Sequence, residues 1–217
     1  MTFEAILFDC DGVLVDSETI SNVMLAEAVT ALGWPTTAAD SHRRFRGRSI
    51  MSTVKIIEAE LGGPVPEDWA IATRTRIREA VEGSVTAIPG VEAVVSQVAG
   101  AGLPRCVGSS SGPDYLERVL ARTGLAAHFG ADVFSAYMVE NGKPAPDLFL
   151  FAASQMGHAP QGCVVIEDTV PGVEAGMAAG MCVIGYAGDP HTDADALAQA
   201  GARVVRDMAE VPALLGL

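Results

Sequence analysis

Four clusters of side chains along this chain have the residue types to do chemistry. In Phe8-Asp9-Cys10-Asp11-Gly12, two carboxylates stand one residue apart after an apolar run. Extended backbone sends alternate side chains to the same side, so Asp9 and Asp11 face one substrate while Cys10 turns into the packing. In Gly108-Ser109-Ser110-Ser111-Gly112-Pro113, three hydroxyls precede a proline suited to the first position of a helix. The free N–H groups of that helix start, together with the hydroxyls of Ser109 and Ser110, make an anion cradle. The loop Asn141-Gly142-Lys143-Pro144-Ala145-Pro146-Asp147 carries Lys143, one of only two lysines in the chain. Finally, Val164-Val165-Ile166-Glu167-Asp168-Thr169 places two more carboxylates at the end of an apolar run, before Pro171-Gly172. Taken singly, these also fit plainer roles: a solvated Asp- and Gly-rich turn, serine capping of a helix, a solvated loop lysine.

Their coincidence favours the chemical reading. Up to four carboxylates gathered around an anion repel one another unless a cation joins them. Oxygen donors of this kind suit a hard divalent ion that keeps several waters, which points to magnesium. Such an ion and Lys143 would neutralise both the carboxylates and the oxygens of a phosphoryl group.

The elements that must position these clusters are legible in the periodicity. Short β-rich runs occur at residues 5–8, 105–108, 132–134, 163–166, 182–184 and 203–205, most of them separated by helical patterns. Such alternation predicts a parallel α/β sheet with crossover helices, doubly wound, with each cluster at the carboxyl end of a strand. Between residues 16 and 86 no strand pattern appears. Ile20, Val23, Met24, Ala28, Val29 and Leu32 form one apolar stripe, and Ile50, Val54, Ile57 and Leu61 a second, with Ser49 as its N-cap. A third helix is expected over residues 66–83. The expected organisation is an α/β core of residues 1–15 and 86–217, interrupted by a helical cap domain of residues 16–85.

Composition narrows the partners. The 217 residues are 49% hydrophobic and carry a net charge of -13, which disfavours nucleic acid and anionic membrane as partners. The start of the chain shows neither a basic segment nor a long apolar one of the secretory kind. The longest uncharged stretch, residues 148–166, is broken by Ser154, Gln155, Gly157, His158, Pro160, Gln161 and Gly162, and would not span a bilayer. Cys10, Cys106, Cys163 and Cys182 lack CxxC spacing and sit in apolar runs, as reduced core thiols of a cytoplasmic protein do. A monomer or weak homodimer is expected.

The ordered series Asp9-Cys10-Asp11-Gly12-Val13-Leu14-Val15-Asp16-Ser17, then Ser109, then Lys143-Pro144-Ala145-Pro146-Asp147, then Glu167-Asp168 resembles the four motifs of the haloacid dehalogenase superfamily. The branch it resembles is the β-phosphoglucomutase and phosphoglycolate phosphatase group, which has an α-helical cap between the first and second motifs. The resemblance implies that Asp9 attacks phosphorus to give an aspartyl phosphate, and that Asp11 protonates the leaving alcohol and later takes a proton from water. It implies that Ser109 and Lys143 hold the phosphoryl group. Magnesium would bind the Asp9 carboxylate, the Asp11 main-chain carbonyl and Asp168, with Glu167 a direct or water-mediated ligand. The expected activity is hydrolysis of a small sugar or carboxylate phosphate monoester; the alternative is a sugar-phosphate phosphomutase.

Within the cap region, residues 43–57 hold Arg43, Arg44, Arg46, Arg48 and Lys55 and no acid, and Arg74, Arg76 and Arg78 follow. Most such arginines serve as a solvated face. Arg46-Gly47-Arg48 is expected to bind the non-reacting part of the substrate, since the resembled branch carries a substrate-selecting loop with a central glycine there. Ser21 stands where the mutase has a histidine, and Ile50 where it has an arginine, which favours hydrolysis. Asp11 argues against the dehalogenase branch, which lacks the second aspartate. A phosphoacceptor receiver domain fits less well, because such domains lack a helical insert and carry the acceptor further along the chain.

Overall fold

The protein is described from a computed structural model, over residues 3–45 and 50–217. Strand β1 (Ala5–Phe8) is followed by α1 (Ser17–Ala31), α2 (Ala38–Phe45), α3 (Ile50–Leu61), α4 (Trp69–Ser84) and α5 (Val91–Gly100). The sheet then resumes with β2 (Arg105–Ser109), α6 (Pro113–Arg122), α7 (Ala126–Phe129), β3 (Val133–Ser135), α8 (Asp147–Met156) and β4 (Cys163–Glu167). Helix α9 (Val170–Ala178), β5 (Cys182–Tyr186), α10 (Ala194–Gln199), β6 (Arg203–Val205) and α11 (Val211–Leu215) complete the chain.

The six strands form one parallel sheet in the order β3-β2-β1-β4-β5-β6, a doubly wound α/β arrangement. The order reverses at β1, and ligands of such sheets bind outside the carboxyl ends of the strands at that point. Both faces of β1 are covered: all four of its residues are buried, as the apolar run demands. Leu7 joins Val165, Leu148, Phe149 and Val173 in a cluster on one side, and Phe8 meets Phe129 edge to face at 5.8 Å. Strands β1 and β6 have the bounds expected from their apolar runs. Strands β2, β4 and β5 continue beyond theirs, because the ladder persists through Ser109↔Ser135 and Glu167↔Gly185.

Two compact units divide the chain: Met1–Asp16 with Thr86–Leu217, and Ser17–Val85. Where the chain leaves and re-enters the first unit, Asp16 N–H donates to Thr86 O (2.9 Å) and Ile88 N–H to Leu14 O (3.0 Å). The second unit builds its own core from Ala28, Val29, Phe45, Ile57 and Trp69, with Trp34 edge-on to Phe45 at 6.1 Å and the Arg44 guanidinium 4.8 Å from the Trp34 ring centroid.

The apolar stripe read on α1 differs from the buried face. Val23 is 43% exposed, whereas Asn22 is buried. Asn22 is accommodated because its amide donates to Glu18 O (2.9 Å) and Glu18 Oε2 (3.1 Å) and accepts from Ser41 Oγ (3.1 Å), so the polar group enters the interior with its partners. Arg46-Gly47-Arg48 and the expected N-cap Ser49 lie outside the described residues. The four cysteines are free thiols; Cys10, Cys106 and Cys163 are buried and Cys182 partly so. Among the described residues no helix is long and apolar enough to cross a membrane.

Candidate active site

The carboxyl ends of β1, β2 and β4 bring Asp9, Ser109 and Glu167 to one rim, and the loop before α8 delivers Lys143 between them. Strand β1 ends at Phe8, but Asp9 N–H still pairs with Ile166 O at 2.9 Å, so the ladder to β4 fixes the backbone of Asp9. The chain then turns: Leu14 and Val15 N–H both reach Cys10 O, and Gly12 N–H reaches Val15 O. Gly12 has φ of 83°, a conformation that glycine adopts without cost.

Lys143 Nζ donates to Asp9 Oδ1 at 2.5 Å, to Glu167 Oε1 at 2.8 Å and to the carbonyl of Gly108 at 3.0 Å. All three ammonium protons are thereby used. The side chain is 6% exposed and lies 4.9 Å from the centroid of Phe149, a further favourable contact for a cation. Burial pushes Asp9 up, to about 7; Lys143 opposes this and the Glu167 and Asp11 charges reinforce it. Burial works against charge on Lys143, but Asp9 and Glu167 outweigh it and hold the amine above the ordinary lysine range. The ammonium is therefore a fixed positive charge beside a buried carboxylate, an arrangement suited to charge that develops in a reaction.

Glu167 has both oxygens committed. Oε1 accepts from Lys143, and Oε2 accepts from Thr169 N–H (2.7 Å) and Thr169 Oγ1 (2.9 Å). Thr169 caps α9, taking the Gly172 N–H at 3.2 Å. The carboxylate packs so tightly on this turn that a Cβ at Gly172 would lie 1.7 Å from Glu167 Oε1. The variant Gly172→Ala therefore displaces Glu167 from Lys143, and a loss of about 1–3 kcal/mol is expected in urea unfolding. An unchanged midpoint would contradict this contact.

Asp168 folds the other way, against the turn after β1: a Cβ on Gly12 would meet its Oδ2 at 2.2 Å. Asp168 thus lies against the turn that follows Asp9. Among the described residues no three His, Cys, Asp or Glu side chains gather as a ready-made metal site. Carboxylate oxygens such as those of Asp9 and Asp168 are of the kind a hard ion like magnesium takes.

Asp11 is placed apart from Asp9's partners. Its Oδ2 accepts from Ser111 Oγ at 2.7 Å and its Oδ1 from Tyr115 Oη at 2.6 Å. Both residues lie beyond the end of β1, and each carboxylate has its own donors. Ser109 is buried, and its Oγ accepts the Ser111 N–H at 3.1 Å; Ser110 is exposed. Sequence reasoning passed over Tyr115, Ser111 as a ligand of Asp11, and Thr169 as a ligand of Glu167. For Tyr115 the available signal was its place in the first turn of a helix that opens directly after the serine run.

The model of the haloacid dehalogenase-like hydrolases matches residues 3–180. The chain is 29% identical over 189 residues to a 6-phosphogluconate phosphatase of Escherichia coli (strain K12), covering 87% of this chain and 84% of that protein. It is 34% identical over 186 residues to hexitol phosphatase A of the same organism, covering 85% and 83%. A solved hydrolase of the same family from Deinococcus radiodurans R1, holding phosphate and sodium, superposes with a TM-score of 0.88 at 36% identity, over 99% of this chain and 95% of that one. Family match, identity and fold agree, and the chain belongs to the haloacid dehalogenase-like hydrolases.

Proposed function

We propose that this protein is a magnesium-dependent phosphatase that hydrolyses a small sugar or carboxylate phosphate monoester through an aspartyl phosphate on Asp9. The observation that carries the reading is the buried Asp9 carboxylate held at 2.5 Å by Lys143, on the rim where Asp168 closes over Gly12. The relatives named as sugar-phosphate phosphatases support the substrate class. Cytoplasmic location accords with the four free thiols.

In the first step an Asp9 oxygen attacks phosphorus, the bond from phosphorus to the ester oxygen breaks, and the Asp11 proton passes to the departing alcohol. In the second, Asp11 takes a proton from water as the water oxygen attacks the same phosphorus, releasing phosphate and restoring Asp9. Ser109 and Ser110 hold the phosphoryl oxygens, and Lys143 joins them by exchanging one of its present acceptors for a phosphoryl oxygen. The Asp9 and Asp168 carboxylates and the Asp11 main-chain carbonyl would hold magnesium, whose charge, when bound, offsets that of the phosphoryl group. Glu167 fixes Lys143 through Oε1 and is anchored by Thr169 through Oε2, and it would serve magnesium as a direct or water-mediated ligand. Residues 16–85 are assigned as the helical cap domain, and Ser21 in place of the mutase histidine favours release of phosphate over its return to a sugar.

Phosphate release from a panel of sugar, nucleotide and carboxylate phosphates tests the reading. Magnesium-dependent turnover of a hexose, hexitol or sugar-acid phosphate is expected, with activity lost on chelation and restored by added magnesium. Activity that survives complete chelation, or no hydrolysis of any ester in the panel, would contradict it.

A further inference from the structure

We infer that Tyr115 is a positioning residue for the acid/base carboxylate: its phenol, together with the Ser111 hydroxyl, fixes the plane in which Asp11 transfers its proton. This rests on the assignment of Asp11 as acid and base given above. Tyr115 Oη donates to Asp11 Oδ1 at 2.6 Å and Ser111 Oγ donates to Oδ2 at 2.7 Å. Both oxygens are thus gripped, by donors 100 and 104 residues away in sequence. A carboxylate with one anchor still rotates about its terminal bond, whose torsional wells are broad; with two it does not.

The anchors are themselves anchored. Ser111 is tied to β2 through its N–H to Ser109 Oγ (3.1 Å) and to the end of β3 through Ser135 Oγ, which donates to Ser111 O at 2.7 Å. Tyr115 is half-buried in the first turn of α6, where its N–H reaches Gly112 O at 3.1 Å. One side of the sheet therefore dictates where the Asp11 proton points, while the Asp9 carboxylate is set from the other side by Lys143 and the ladder to β4. When Asp11 protonates the leaving alcohol, its own proton moves to the ester oxygen as the phosphorus–oxygen bond breaks. The Tyr115 proton stays on the phenol. The contribution of Tyr115 is orientation, and small misplacements of a reacting group are costly.

Tyr115→Phe removes the hydroxyl and keeps the ring. A leaving alcohol of an alkyl ester needs the proton from Asp11, whereas 4-nitrophenolate departs without one. With magnesium present, kcat/KM for a hexose 6-phosphate is expected to fall roughly tenfold in Tyr115→Phe. That for 4-nitrophenyl phosphate should stay within about twofold, at an unchanged Tm. Ser111→Ala should shift the same ratio in the same direction, and Asp11→Asn more than either. Equal losses on both esters, or none, in Tyr115→Phe while Asp11→Asn keeps its selective loss would overturn the role of Tyr115 alone. Because Asp11 also serves the second step, which both esters share, its variant is compared by the single-turnover rate of ester cleavage; equal losses there on both esters in Asp11→Asn would overturn the acid assignment, and the role of Tyr115 with it.

Discussion

Asp9→Asn is expected to abolish turnover of every phosphate ester, with kcat reduced about 10⁴-fold or more, while the protein stays folded. The amide has the shape of the acid but no nucleophilic charge. Its effect on stability has the opposite character to its effect on rate. In the wild type, burial penalises the ionised form of Asp9 and pushes its carboxyl up to about 7. An uncharged isostere removes that penalty, and Lys143 keeps Glu167 Oε1 and the Gly108 carbonyl as acceptors. The Tm of Asp9→Asn is therefore expected to equal or exceed that of the wild type, the usual relation where function demands an unfavourable group. A variant that retains hydrolysis would remove Asp9 from the mechanism; one that unfolds would show that the carboxylate was structural.

Lys143→Met should damage both rate and stability. The lysine is the shared cation of two carboxylates that are almost wholly inside the protein, Glu167 being 1% exposed. Taking away one member of a buried charged cluster leaves uncompensated charge, at about 3–5 kcal/mol, and the phosphoryl group loses a fixed positive partner, worth roughly 10²–10³ in kcat. The i,i+4 pair Arg78–Glu82 on α4 is similarly short at 2.7 Å, but its partners are 47% and 17% exposed. Its loss should cost only about 0.3–0.5 kcal/mol. Distance is alike in the two cases, and solvent decides the difference.

The pH dependence of the Lys143→Met deficit gives a second reading of the same arrangement. Without the lysine nothing opposes burial and the Glu167 charge, so Asp9 is driven further above the unfolded carboxylate range. A group with its folded pKa above its unfolded value binds more protons when folded, so stability rises as pH falls through that window. In metal-free buffer the variant's deficit should therefore be larger at about pH 8 than at about pH 5. A deficit that grows on acidification would contradict the account.

Much of this fold is legible in the chain itself, and the places where it is not have physical causes. The strand positions are readable because short, continuous apolar runs such as Ala5–Phe8 and residues 163–166 suit a strand covered on both faces. The three strand-end clusters and Lys143 are readable because the sheet order, with β1 between β2 and β4, turns separated segments into one rim. Helix α2 is not, since its sequence AADSHRRF has no apolar stripe and buries Ser41 and His42 beside Phe45. Asn22 escapes for a related reason: its burial depends on Ser41, nineteen residues away. Tyr115 reads in sequence as one more amphipathic residue of α6, and only the long-range approach to Asp11 gives it a chemical role. Glu167 and Asp168 look alike as neighbouring acids, yet one turns to Lys143 and the other to Gly12. Adjacent strand-end side chains point in opposite senses, and each is sorted by what meets it there.

The central claim is that phosphate leaves its ester by way of Asp9. Rapid acid quenching of the enzyme during turnover of a hydrolysed ester with magnesium, followed by peptide mass analysis, tests it most directly. The account predicts a phosphoryl group on the peptide containing Asp9, absent from Asp9→Asn and discharged by hydroxylamine as an acyl phosphate is. Turnover at full rate with no covalent phosphoryl group on Asp9 at any quench time, or with the label on another residue, would contradict it.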